Sequence, residues 1–324
     1  MCLYTKYIMN PKYKPSKKNG GHPPECTDER LRYIPAKCGR CIECRKQKKS
    51  EWIMRLSEEV RNDSSCQFVT LTFNDEAFGI LRKKMHIWSV EPSNEELHQM
   101  VTYAVRRFLE NIRHETGKSV KHWLITEKGE DFGRIHLHGI IWGKHLDKWK
   151  WGYTYAGKFV NEQTILYITK YMLKIPEKDR SFVGKVFASP GIGRGYLTKA
   201  KRNAFKGEET DQTYITRKGS KIALPQYFRR KLYTDEQREK LWIDAQERGY
   251  RYICGEKVST ENLEEWENLT EYYQKRAKKL YGEDPEEWDR EKQKKRLAKM
   301  RQYLRKRARE RHAHDTEDDI LGDP

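Results

Sequence analysis

Two histidines one residue apart, His136 and His138, lie in the run Gly133-Arg134-Ile135-His136-Leu137-His138-Gly139-Ile140-Ile141-Trp142, which otherwise reads as a buried strand. Side chains alternate faces along a strand, so the two imidazoles point the same way, about 6–7 Å apart along the backbone. Ile135, Leu137, Gly139 and Ile141 take the opposite face. Two neutral imidazoles aimed at one point suit a divalent metal. On those three letters, a half-buried strand whose histidines form hydrogen bonds is the simpler account. The preceding residues shift the balance. His122 to Glu127 reads as another strand, ending in a carboxylate, and Lys128 to Gly133 as a polar turn. A hairpin of that length brings Glu127 beside His136 and His138, with Glu130 or Asp131 in the turn as substitutes. Two imidazoles and one carboxylate leave positions open for a phosphate oxygen, which metal-assisted phosphoryl chemistry requires.

Downstream, Ile165 to Lys174 reads as a helix ended by Pro176. Tyr167 and Tyr171 are four residues apart on it, hence neighbours on one face. Each is followed three residues later by a lysine, Lys170 and Lys174. A free phenol titrates near pH 10 and is a poor nucleophile at neutrality. Ammonium groups beside it stabilise both a phenolate and a target phosphate.

A second constellation lies near the N-terminus, where Cys38-Gly39-Arg40-Cys41-Ile42-Glu43-Cys44 holds two overlapping C-x2-C spacings. A tight turn at Gly39 can bring the thiolates together for a closed, structural tetrahedral zinc, the fourth ligand coming from Cys26, Cys2 or His22. Five of the seven cysteines lie within the first 44 residues, and the odd total argues against a disulfide framework.

These groups need elements to position them. Arg45 to Arg61 forms a helix with Trp52, Leu56 and Val60 on one face, and Gln67 to Asn74 forms a strand with Val69, Leu71 and Phe73 opposed to Thr70 and Thr72. Ser93 and Glu96 make a capping box for a second helix carrying Leu97, Val101, Ala104, Phe108 and Ile112, terminated at Gly117. Trp151 to Val160 suggests a strand, Asn161 an N-cap, and Tyr214 to Leu224 a hairpin turning at Lys218-Gly219-Ser220. Leu224 to Arg230 reads as a basic aromatic segment facing a partner or DNA. From Asp235 the chain reads as helical and charged, with eleven Lys and Arg between Lys292 and Arg311 and an acidic, disordered end from Asp315. The resulting division is a Cys-rich arm (1–44), a main domain (45–235), a charged helical region (236–314) and a tail (315–324).

With 324 residues, 36% of them hydrophobic, the chain can bury a sizeable core. No run approaches the roughly 18–20 apolar residues of a membrane span, and Met1 to Lys6 lacks the apolar core of a secretory signal, so an intracellular protein is expected. A net charge of +18, with 12% aromatic residues interleaved, makes a nucleic acid the natural partner. The Gly-rich stretch Ser189 to Gly195 lacks the spacing of a P-loop, so an ATPase is not indicated.

A Thr-rich strand, a His-Leu-His strand and a Tyr-Ile-Thr-Lys-Tyr-Met-Leu-Lys helix, in this order, resemble the HUH endonuclease superfamily of rolling-circle replication initiators and relaxases. With Met1-Cys2-Leu3, Cys-Gly-x-Cys-x-x-Cys and Phe-Val-Thr-Leu-Thr-Phe, residues 1–235 are similar to the two-tyrosine initiators of microviruses, the gokushovirus branch in particular. The resemblance implies an α+β fold, a central antiparallel sheet flanked by helices, in keeping with the alternation above. It further implies Mg2+ or Mn2+ held by His136, His138 and Glu127, and attack by Tyr167 or Tyr171 to leave a 5′-phosphotyrosine and a free 3′-OH. The other tyrosine then cleaves the regenerated origin so that the released strand is joined, with Lys170 and Lys174 supporting phenolate or phosphate. The implied setting is the cytoplasm of a bacterial host, on single-stranded and origin double-stranded DNA, with host helicase and polymerase. Two rivals stay open: an HUH plasmid initiator or transposase, and a non-enzymatic zinc-containing nucleic-acid-binding protein whose tyrosines stack bases.

Overall fold

The computed structural model describes residues 1–89, 91–129, 133–157, 159–205, 213–216 and 219–293, with 296, 297 and 300. Glu130, Asp131, Lys218, most of the basic stretch after Lys292 and the acidic tail lie outside the described residues. The chain forms two compact units, Met1–Lys275 and Arg276–Pro324.

In the first unit the chain opens with strand β1 (Lys6–Met9), a short helix α1 (Glu29–Arg32) and strand β2 (Tyr33–Ala36), which pairs antiparallel with β1. Helix α2 (Ile42–Asn62) leads into β3 (Cys66–Leu71), followed by helices α3 (Asp75–Met85) and α4 (Asn94–Thr116). Then come β4 (His122–Lys128), β5 (Ile135–Trp142), β6 (Thr154–Gly157), helix α5 (Glu162–Lys170) and β7 (Val186–Ala188). The sheet runs β6-β3-β5-β4-β7, every neighbouring pair antiparallel, so the architecture is α+β with helices on both faces.

Strand alternation creates two cores. Val69, Leu71, Leu124, Ile135, Leu137 and Ile141 pack with Leu97, Met100, Val101, Ala104, Val105, Phe108 and Ile112 of α4. Trp123, Ile125, Ile140 and Trp142 pack on the other face with Leu56 of α2 and Ile165 and Ile168 of α5. Helix α4 has the predicted start and stop: Ser93 Oγ accepts from Glu96 N at 3.3 Å, Ser93 N donates to Glu96 at 2.8 Å, and Gly117 sits at φ 69°. A ring contact at 5.9 Å between Trp52 and Trp123 seats α2 on the sheet.

A third core lies behind α2. After α6 (Lys199–Ala204), strands β8 (Thr213–Ile215) and β9 (Lys221–Ala223) form the expected hairpin, followed by α7 (Gln226–Leu232) and α8 (Asp235–Glu247). Tyr196, Phe205, Tyr214, Leu224, Phe228, Leu232 and Leu241 bury against Met54 of α2. This corrects the reading of Leu224 to Arg230 as a partner-facing segment, because Leu224 and Phe228 point into the core. The Gly-rich stretch is also packed inward: Gly193 N donates to Glu59 at 2.6 Å, and Arg55 donates to the Ile192 carbonyl at 2.9 Å.

Other expectations needed correction. Asn74 ends no strand; its side chain accepts from Ala77 N at 2.8 Å and starts α3, a helix signalled by Asn74-Asp75-Glu76. The charged region is not wholly helical, since β10 (Tyr250–Ile253) and β11 (Glu256–Ser259) form a hairpin before α9 (Leu263–Tyr281). The second unit holds the end of α9 and a helix over residues 285–293. Among the described residues no helix is long and apolar enough to cross a membrane.

Gly139 lies between β3 and β4, opposite Val69 and Leu124. A Cβ there would press well inside contact distance of the Trp123 carbonyl oxygen and 2.8 Å from the Leu124 Cα, against backbone that cannot move aside. Gly139→Ala is therefore expected to destabilise the chain by about 2–4 kcal/mol, read as a lower denaturant midpoint. An unchanged midpoint would contradict this strand packing.

Candidate active site

Cross-strand pairing builds the polar centre of the sheet. Glu127 of β4 is opposite His136 of β5, and Ile125 is opposite His138, so all three polar side chains share the α2/α5 face. Nε2 of His136 lies 2.8 Å and Nε2 of His138 2.9 Å from the same oxygen, Glu127 Oε2. Their ligand atoms all lie within 4.8 Å of one another, and the cluster is one of two among the described residues able to hold a metal ion. Glu127 and His138 are buried while His136 is partly open, which leaves one side accessible. Burial pushes the Glu127 carboxyl up, but hydrogen bonds from His136, His138 and Lys174 outweigh it and hold the group well below the usual carboxylate range.

The second ring nitrogen of His138 contacts the β3 hydroxyl opposite it: Nδ1 is 3.0 Å from Thr70 Oγ1. With the proton on Nδ1 donated to Thr70, Nε2 presents a lone pair towards Glu127. A second partner of this kind fixes the tautomer that a metal-binding imidazole needs. Two imidazole nitrogens and a carboxylate oxygen converging on one point fit a divalent cation, which would separate the acceptors.

Helix α5 delivers the tyrosines. Asn161 caps it, accepting from Thr164 N at 2.9 Å, and Ile165 and Ile168 anchor it in the core. The helix ends earlier than its sequence suggests. Thr169 Oγ1 donates back to the Ile165 carbonyl at 2.7 Å, and tight turns follow from Met172 N to Thr169 O and from Leu173 N to Lys170 O. Lys174 thereby leaves the helix, and its ammonium pairs with Glu127 Oε1. Tyr171 is only 6% exposed, and its ring lies 4.5 Å from that of His138 at 9°, a parallel stack. Its hydroxyl donates to Tyr167 Oη at 2.7 Å. Tyr167 is 44% exposed, with the Lys170 ammonium 4.0 Å from its ring centre. Burial first, and then the hydrogen bond to Tyr167, push the Tyr171 phenol above its ordinary value.

The thiols form the second cluster. Cys2, Cys38, Cys41 and Cys44 converge, with Sγ–Sγ separations of 3.9 Å for Cys38–Cys44 and 4.0 Å for Cys41–Cys2. Backbone N–H groups of Cys38 and Cys41 each donate to a cluster sulfur at 3.3 Å, and Gly39 turns the chain at φ 75°. Cys26 is not part of the cluster; its thiol donates to the Asp28 carbonyl at 3.2 Å, and Cys2 takes the fourth place.

Residues 66–176 match the family model of the replication-associated protein ORF2, an interval that runs from β3 through both tyrosines. Over 240 residues the chain is 20% identical to the replication-associated protein ORF4 of Chlamydia phage 1, covering 63% of this chain and 55% of that protein. The chain thus spans about half the length of the curated relative it matches. No solved structure matches it. Both matches agree with the likeness to microvirus replication initiators seen in the motifs.

Thr70→Val keeps the β-branched shape but removes the partner of His138 Nδ1. Titration with Mn2+ should show affinity reduced about 10–100-fold with folding unchanged. Unaltered Mn2+ affinity would show that Thr70 does not orient His138.

Proposed function

We propose that the protein initiates rolling-circle replication of a small DNA phage by nicking single-stranded DNA at the origin through a tyrosine nucleophile. The observation that carries this reading is the stack of Tyr171 on His138, which sets the two-tyrosine helix directly over the Glu127–His136–His138 cluster. The matches to replication-associated proteins support it. A Mg2+ or Mn2+ held by these three residues supplies Lewis-acid neutralisation of a phosphodiester.

Tyr167 is the first nucleophile. Its oxygen is open to solvent, accepts a proton from Tyr171 and lies in the field of Lys170, all of which favour the phenolate. Attack on phosphorus forms the Tyr167 O–P bond and breaks the P–O3′ bond, and the departing oxygen ends as a 3′-OH. One phosphodiester is exchanged for another, so the step consumes no nucleotide. Tyr171 performs the second cleavage, and the bound strand is passed to the 3′-OH it releases. Lys174 balances Glu127 in this scheme, and unwinding and synthesis fall to helicase and polymerase in the cytoplasm of the bacterial host.

The protein incubated with origin single-stranded DNA and Mn2+ should give a covalent adduct on a denaturing gel, lost with chelator and in His136→Ala. Tyr167→Phe should abolish this first adduct. Tyr171→Phe should retain it and fail to transfer the strand to a second oligonucleotide. A wild-type chain that forms no adduct, or a double Phe variant that still does, would refute the reading.

Cys2, Cys38, Cys41 and Cys44 hold a structural zinc in this proposal. Zn–S bonds of about 2.3 Å in a tetrahedron put sulfurs about 3.8 Å apart, close to the observed 3.9 and 4.0 Å. Such an ion ties the N-terminus to the start of α2. Metal analysis should find one zinc per chain, lost in Cys2→Ser together with thermal stability, and retained in Cys26→Ser. Zinc-free wild-type protein would contradict the assignment.

A further inference from the structure

Beside Tyr167 a groove of about 440 Å³ runs along the free edge of the sheet, between β6 and the first turns of α5. Its surface is aromatic. Phe68 forms the floor, with its ring centre 6.2 Å from that of Tyr155 and 6.1 Å from that of Tyr167, both edge-on. Tyr155 is 51% and Phe159 80% exposed, large apolar faces that neither of the adjacent cores covers. Gln163 is exposed one turn before Tyr167 on the same helix face, and it too lines the groove.

We propose that this groove is a nucleobase subsite: it takes one unpaired base of single-stranded DNA, next to the phosphate that Tyr167 attacks. The proposal rests on the reading of Tyr167 as nucleophile. Exposed rings provide a stacking surface for any base, since every base has a π-face. Gln163 offers both a donor and an acceptor to a base edge. The net charge of +18 and Lys170, 4.0 Å from the Tyr167 ring centre, draw the phosphate chain to this face. The base is unpaired because the groove sits at a sheet edge level with the nucleophile, where a stacked duplex cannot present a single base. Ring faces and a catalytic oxygen on one wall mean that seating the base and aligning the phosphodiester are the same event.

The test is equilibrium binding of fluorescein-labelled dT12 to the full chain in EDTA, so that no chemistry occurs. Phe159→Ala and Tyr155→Ala should each weaken binding about 5–150-fold. Tyr155→Phe should bind like wild type, the slope of log Kd against log salt should stay unchanged because no phosphate contact is lost, and affinity for a 12-base-pair duplex should not move. Phe159→Ala binding dT12 within twofold of wild type would overturn the proposal. Equal losses for duplex and single strand would overturn it as well, and so would variants that convert a wild-type dimer to monomer, which would assign the rings to a second copy of the chain. Because the assay needs neither metal nor cleavage, a wild-type chain that binds in this way but forms no adduct would refute the nuclease reading and leave the subsite standing.

Discussion

Glu127 Oε2 receives Nε2 of His136 and Nε2 of His138 at 2.8 and 2.9 Å, a convergence that exists only because β4 and β5 pair with Glu127 opposite His136. A slip of one residue would turn every side chain of the strand to the other face. That slip is prevented by groups that take no part in the chemistry. Leu124, Ile135, Leu137 and Ile141 must meet α4, while Trp123, Ile125, Ile140 and Trp142 must meet α2 and α5. The apolar pattern therefore sets the position of the polar cluster, and Gly139 lets the neighbouring backbone approach closely enough to complete the pairing.

Around this point each polar group is held by another. His138 is oriented by Thr70 on one side and stacked by Tyr171 on the other, and Lys174 neutralises the second oxygen of Glu127. The early end of α5 is what permits this. Had the helix continued through Lys174, its ammonium would have stayed near the tyrosines and left Glu127 to the histidines. The two tyrosines are consequently unequal, one buried against the cluster and donating, the other open and accepting.

Much of this centre was legible in the sequence because its signals are local. Strand alternation set His136 and His138 on one face, a short hairpin brought Glu127 to them, and four-residue spacing paired the tyrosines. The capping box at Ser93 and the stop at Gly117 were equally readable. Long-range contacts were not. Cys2 lies 36 residues before Cys38, outside any ligand spacing, and only the fold brings it to the cluster in place of Cys26. Lys174 joined Glu127 because Thr169 and the approach to Pro176 ended the helix early, an effect the apolar period does not carry. Leu224 to Arg230 looked exposed through its basic residues, although Phe228 is in the core, and the β10–β11 hairpin was hidden among charges.

The account turns on Tyr167 attacking phosphorus beside the Glu127–His136–His138 cluster. The two tyrosines fall on different tryptic peptides, Phe159–Lys170 and Tyr171–Lys174. Mass spectrometry of the chain reacted once with single-stranded origin DNA, then digested with nuclease and trypsin, should find the nucleotide on the first peptide. A nucleotide on the second peptide, or on neither, would contradict it.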